Sequence, residues 1–264
     1  MTAPGRRPRA LLELIWSLAL RQLYGRYIGS AMGIFWTVVH PLIMLAVWTF
    51  VFSYILKLPF SSDGGLVNSA FYLFCGLVPF LSFQETVQNC TTSITGNAAL
   101  VKNLVFPSKT LQFSVGLASL ISEFIGIGIL VAALVLTRFQ FPIYLPLILP
   151  FALLLMLFGI GLGFITCSLH VFFRDVAQLV NVMLMLWLYA TPIFYPVHLL
   201  PRNLEFMIYV NPLAYVTNVY RSLLLVGTLP SLRGFLVFCA ISLGTFVLGY
   251  RTYTRFFPRF IDEL

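Results

Sequence analysis

Residues 139–173 contain no Asp, Glu, Lys or Arg. So long a stretch without a charge is rare in soluble folds, because most of their helices and strands turn one face to water. A bilayer asks for it: about 30 Å of hydrocarbon is crossed by about 20 apolar residues at about 1.5 Å each. Residues 27–56 and 64–84 are equally charge-free. Only 9% of the chain is charged and 60% is apolar, against about 25% charged in soluble domains. A soluble domain, a disordered chain and a disulfide scaffold are excluded. Cys75, Cys90, Cys167 and Cys239 lie far apart in apolar runs and read as packing residues. The net charge of +8 is scattered between apolar blocks, which suits a membrane surface and not a nucleic-acid footprint.

Six segments are long enough to cross: 33–56, 69–94, 110–137, 146–171, 177–195 and 234–252. A seventh apolar stretch, 203–226, is interrupted by the Asn211-Pro212 pair and follows Pro196 and Pro201. Proline removes a helix hydrogen bond. Broken backbone at membrane depth needs protein or water around it. The stretch therefore reads as two short re-entrant helices, 202–210 and 213–226. With six spans and an inside N-terminus, only Lys57, Arg138, Arg202, Arg221 and Arg233 of the 16 basic residues fall outside. A seventh span would move Arg251, Arg255 and Arg259 outside as well, against the positive-inside rule. Residues 10–27 place Leu12, Trp16, Ala19, Leu20, Leu23 and Tyr27 on one stripe, away from Glu13, Ser17 and Arg21. That pattern predicts an amphipathic helix in the inner interface. The expected fold class is all-α integral membrane, with six transmembrane helices, this interface helix and the two re-entrant helices, in one domain over 1–264.

Catalytic signals are poor. There is no Gly-x-x-x-x-Gly-Lys-Ser/Thr phosphate loop and no His-Glu-x-x-His, and His40, His170 and His198 are far apart. A membrane enzyme of glycan assembly would gather carboxylates at one face, and only Asp175 fits that description. No metal site is expected. Glu85 and Glu123 lie inside spans, where ionisable groups are costly. Glu85, Gln88, Asn89 and Thr92 share one helical face at steps of three or four, which predicts either a pore lining or a hydrogen-bonded seam. Glu123, beside Ser119 and Ser122, reads as packed in its neutral form. In the loop 96–109, Asn97 can cap a short helix that Pro107 ends. Leu100, Val101, Leu104 and Val105 form its apolar set, and Lys102 and Asn103 face away. Such a helix suits docking to a soluble partner or lying on lipid. Arg174-Asp175 is a helix-start signal for span five or a clamp on neighbouring spans. Glycines spaced by four (Gly25, Gly29, Gly33; Gly159, Gly163) permit close helix approach; the first set could instead be a hinge. Tyr189, Tyr195, Tyr209, Tyr215 and Tyr220 cluster around the broken outer stretch, as a sugar-stacking surface or an interfacial belt.

The stretch Leu-Arg-Gln-Leu-Tyr-Gly-Arg-Tyr-Ile-Gly-Ser-Ala-Met-Gly-Ile-Phe-Trp (20–36) with His40-Pro41 is followed by Leu104-Val105-Phe106-Pro107 and Phe172-Phe173-Arg174-Asp175. Thr191-Pro192-Ile193-Phe194-Tyr195, Asn211-Pro212 and Tyr220-Arg221 complete the series. In this order and spacing the chain resembles the membrane subunit of ABC-2-type polysaccharide exporters: O-antigen permeases and the related teichoic-acid and capsule permeases. The resemblance implies a homodimer in the bacterial cytoplasmic membrane, with both termini inside, and two copies of a cytoplasmic ABC ATPase. ATP and magnesium would bind that partner, and this chain would hold no cofactor. The cargo would be a glycan on undecaprenyl diphosphate. The 97–107 helix and Arg174-Asp175 would couple to the ATPase. Arg21, Arg26, Trp36, Glu85, Gln88, Asn89, Tyr189 and Tyr195 would attract or line the path of the cargo; positive-inside bias explains Arg21 and Arg26 equally well. Pro196, Tyr209, Asn211, Pro212, Tyr215, Tyr220 and Arg221 would form the outer gate. An ABC-2 exporter of lipids or drugs is the alternative transport reading.

Overall fold

The computed structural model describes residues 8–25, 33–55, 57, 66–102, 106–138, 141–195 and 210–263. Arg26, Leu104, Pro196 and Tyr209, with the expected re-entrant segment 202–209, lie outside them. The described residues form helices and turns, with no strand among them. In chain order the helices are α1 (Pro8–Gly25), α2 (Trp36–Thr49), α3 (Leu66–Thr92), α4 (Ala98–Val101), α5 (Lys109–Arg138), α6 (Ile148–Phe172), α7 (Val176–Ala190), α8 (Pro212–Arg221) and α9 (Leu232–Glu263). π turns extend α2 through Phe50–Ile55 and α8 through Ser222–Val226. Among the described residues, four segments are long and apolar enough to cross a membrane: Ser69–Thr92, Lys109–Thr137, Leu145–Phe172 and Leu232–Phe260.

α6 sits at the centre because its glycines let two neighbours approach its backbone. A Cβ on Gly159 would lie 2.9 Å from Thr86 on α3, and one on Gly163 would collide with Cys90 of the same helix. On the opposite face, a Cβ on Gly161 would lie 2.7 Å from the backbone nitrogen of Phe246 on α9. Gly249 of α9 meets the carbonyl oxygen of Gly161. Spacing of four thus serves contact with α3, and the intervening glycine serves α9. The Gly25 and Gly33 positions have open space around them. Gly33 instead takes a left-handed φ of 52° at the start of the helical run, a conformation that side chains disfavour.

The core lies between α3, α5, α6 and α8, with Phe83 stacked on Phe158 at 5.2 Å and edge-on to Trp187 of α7 at 5.4 Å. A second cluster at the other end joins α6 to the far end of α9 through Phe164, Tyr253 and Phe260. α1 docks on α5 by Ala19 and Leu23 against Ala118. The expected stripe on α1 is divided: Leu12 and Trp16 are exposed, Leu20 is half-buried, and Ala19 and Leu23 are buried. The buried positions are the ones that α5 covers, which the periodicity of α1 alone does not reveal.

Candidate functional site

The polar side chains gather at two ends of the bundle. At one end lie α4 and its loop. The Arg21 guanidinium of α1 donates to Asn97 Oδ1 at 3.1 Å, and Asn97 Nδ2 donates to the Ser93 carbonyl at 2.9 Å. Asn97 therefore makes no side-chain cap bond to α4; its amide is already used by α1 and α3. α4 is helical only over Ala98–Val101, with Lys102 in a turn and Phe106 and Pro107 outside any helix. This is shorter than the 97–107 helix expected from the sequence. Val101 is buried, Leu100 is half-buried and Lys102 is exposed. The loop is fastened behind: Lys109 Nζ donates to the Tyr250 hydroxyl and lies 4.2 Å from its ring centre, and the Tyr253 hydroxyl donates to Ser108 Oγ at 2.8 Å. Arg174 and Asp175 are exposed at the start of α7, and neither side chain bonds or pairs with another described residue. The clamp expected of them is absent from the described contacts because both point to solvent, while the Asp175 backbone carbonyl accepts from Leu179 at 3.0 Å.

Between the two ends, Gln88 on α3 donates to Asn181 on α7 at 3.0 Å. Asn181 is exposed, as are Asn89 on α3 and Gln178 on α7. Glu85 turns away from this group and accepts from Ser119 of α5 at 2.9 Å. The face expected to hold Glu85, Gln88 and Asn89 together is split between α5 and α7, since α3 is wedged between the two. Trp36 is half-buried at the start of α2.

The other end is organised by α8. Asn211 Oδ1 accepts from the Leu213 backbone at 3.0 Å, which caps α8, and from Trp187 Nε1 at 2.9 Å. Its Nδ2 donates to Thr191 Oγ1 at 3.0 Å. Pro212 occupies the first helical turn, where its missing N–H costs nothing. Arg221 is 5% exposed. Its guanidinium donates to the carbonyls of Tyr72 (3.2 Å), Pro192 (2.8 Å) and Ile193 (3.2 Å) and stacks 3.5 Å above the Tyr72 ring. Gly76 leaves the room: a Cβ there would lie 2.8 Å from that guanidinium. The buried Tyr220 hydroxyl donates to Glu123 Oε1 on α5. Tyr195 donates to the Tyr189 carbonyl at 3.0 Å, and Tyr189 is exposed. Tyr215 donates to the Ser231 carbonyl at 3.4 Å. It also borders a cavity of about 920 Å³ between α8 and α9, with Asn218 and Arg233.

Residues 13–225 match the family described as ABC-2 type transporter. The chain belongs to that family. An O-antigen export system permease protein RfbA of Klebsiella pneumoniae is 29% identical over 83% of each chain. One of Myxococcus xanthus is 26% identical over 87% of this chain and 86% of its own. The polysialic acid transport protein KpsM of Escherichia coli is 24% identical over 89% of this chain and 92% of its own. As an ABC-2 membrane protein the chain is a permease subunit and not an enzyme. Among the described residues no three His, Cys, Asp or Glu side chains form a metal cluster.

Within this ABC-2 subunit, sequence reasoning missed the residues that receive its motifs. Tyr72, Trp187 and Asn181 are partners of Arg221, Asn211 and Gln88, and Ser108, Lys109, Tyr250 and Tyr253 fasten the α4 loop. The last two carried a signal: Tyr250, Tyr253, Phe257 and Phe260 recur every three or four residues beyond the apolar run, as a buried helix face does.

Proposed function

We propose that this chain is the transmembrane subunit of an ATP-driven exporter of a lipid-linked polysaccharide, working as a homodimer with two copies of a cytoplasmic ABC ATPase. It crosses the bacterial cytoplasmic membrane six times with both termini inside. The observation that carries the reading is α7. Within its own subunit α7 buries only Leu184, and it exposes Gln178 and Asn181 alongside Asn89 of α3. In lipid such polar groups are expensive, so a second copy or an aqueous path must cover them. Two copies facing through α7 would enclose the polar side chains between them.

Six spans are supported by the unbroken helical run from Trp36 through the π turn to Ile55, about 30 Å long. α7 and the folded-back Thr191–Tyr195 turn supply the fifth. α8 and its π turn end at Gly227, whose left-handed φ of 74° stops the helix. That run, opened by the Asn211 cap and closed by Gly227, supports a re-entrant gate. ATP and magnesium would be held by the partner, because this chain lacks a phosphate loop. The ATPase would bear on α4 and its loop, and the Arg21–Asn97 bond would carry that displacement to α1. Arg21, exposed on α1, would attract a lipid diphosphate in the inner leaflet. O-antigen as the glycan is supported by the O-antigen export permeases among its relatives, and undecaprenyl diphosphate as the carrier by the resemblance of the motifs alone. A capsule polysaccharide export protein of Neisseria meningitidis among the relatives supports a capsule glycan as the second reading.

Substituting Leu100→Asp with Phe106→Ala in the assembled transporter tests the coupling face. ATP turnover linked to export, or assembly itself, is expected to fall. Unchanged assembly and turnover would refute the coupling role.

A further inference from the structure

The outward face of α9 changes character along one line. Leu236, Val237, Leu243, Val247 and Leu248 are exposed on it, as expected of a surface against acyl chains. The same face continues, one turn on, as Arg251, Arg255 and Arg259, all exposed. These guanidiniums recur every four residues over about 12 Å of helix. Tyr253 lies about 200° around the helix from Arg251 and Arg255. It is buried against Phe164 at 5.0 Å and holds Ser108. Phe256 and Phe260 pack on Phe172 at 5.9 and 6.1 Å. The inner end of α9 is therefore fixed to its own subunit by an aromatic face, and it directs its arginines away from the α4 loop. Glu263, exposed four residues beyond Arg259, is the acidic group at the far end of the stripe.

We propose that Arg251, Arg255 and Arg259 form a binding surface for the phosphates of anionic phospholipids in the inner leaflet. The occupant is set by continuity: a face that meets acyl chains through Leu248 meets headgroups immediately below. A rigid basic stripe at that depth attracts anionic lipid by about 1 kcal/mol per charge, about fivefold each. Bidentate guanidiniums match phosphate oxygens. A soluble acidic surface of the ATPase, or the second copy, would be the competing occupant. The proposal rests on α9 crossing the membrane and not on the identity of the cargo.

The test uses the whole permease–ATPase complex in nanodiscs of phosphatidylcholine, with spin-labelled phosphatidylglycerol or phosphatidylcholine as probe. The wild type is expected to prefer phosphatidylglycerol severalfold, and to lose that preference in 0.5 M salt, where charges are screened beyond about 4 Å. The triple variant Arg251→Gln, Arg255→Gln, Arg259→Gln should bring the preference close to one, and the corresponding triple lysine variant should keep most of it. Removing three other inner-side charges (Arg6→Gln, Arg7→Gln, Arg9→Gln) should leave it intact. No preference in the wild type would overturn the proposal. So would an undiminished preference in the glutamine variant, or loss of ATPase assembly with lipid preference unchanged. Should the triple glutamine chain fail to assemble, Arg255→Gln alone and the salt titration decide in the same way. Failed export with lipid preference intact would count against the functional reading alone.

Discussion

The two ends of the bundle hold their polar groups differently. At the α8 end, Arg221 makes three hydrogen bonds and a ring contact out of reach of solvent, and Asn211 bonds α7 and α8 together. At the α4 end the back of the loop is fastened by the buried Tyr253–Ser108 bond, but the link from Asn97 to α1, made by Arg21, is exposed to water. A buried polar group left without its partner costs the full desolvation penalty, whereas an exposed one is repaired by water. The α8 end is thus built to resist displacement, and the exposed α4–α1 link at the other end to permit it. That asymmetry suits a transporter pushed from one side and held shut at the other.

The largest effect that would break this contrast is expected from Arg221→Ala. Three carbonyls and the Tyr72 ring lose their partner, and a loss of about 3–4 kcal/mol in unfolding stability follows. Thermal unfolding in detergent checks it, and a variant as stable as the wild type would remove the rigid end of the comparison. Gly249→Ala should cost about 2 kcal/mol by forcing α9 off the Gly161 carbonyl. Its signature is a lowered melting temperature together with loss of disulfide trapping between paired cysteines placed on α6 and α9. Tyr220→Phe removes the buried donor to Glu123 and should cost about 1–2 kcal/mol. Replacing Glu123 by Gln in the same chain should recover little, because the hydroxyl is gone. At the permissive end, Arg21→Ala should change stability by less than about 0.5 kcal/mol and yet reduce export per ATP hydrolysed. A stability loss as large as that of Tyr220→Phe would erase the distinction between the two ends.

The sequence made the membrane character plain because charge scarcity and run length act residue by residue. The long helices α3, α5, α6 and α9 were legible for the same reason. Proline and glycine marked the boundaries of α8: Asn211-Pro212 opens it, and Gly227 closes its π turn. Facing was less legible. Nothing in α3 alone says that Glu85 turns to α5 while Gln88 turns to α7, because that depends on which helices flank it. Arg221 was counted as one outer charge, yet it lies buried. A charge tally cannot separate a topology signal from a staple whose acceptors, Tyr72, Pro192 and Ile193, are distant in sequence. Asn97 has the right chemistry for a cap, but Arg21 and Ser93 compete for its amide.

The most direct test reconstitutes the chain with its partner ATPase in proteoliposomes whose lipid-linked glycan starts on the face that bears the ATPase. Digestion by a glycosidase confined to the opposite face reports arrival there. Glycan that becomes digestible only when ATP is supplied, and stays protected when Leu100 and Phe106 are substituted, is the result expected. Glycan that remains protected while the ATPase turns over, or that crosses without ATP, would contradict an ATP-driven polysaccharide exporter.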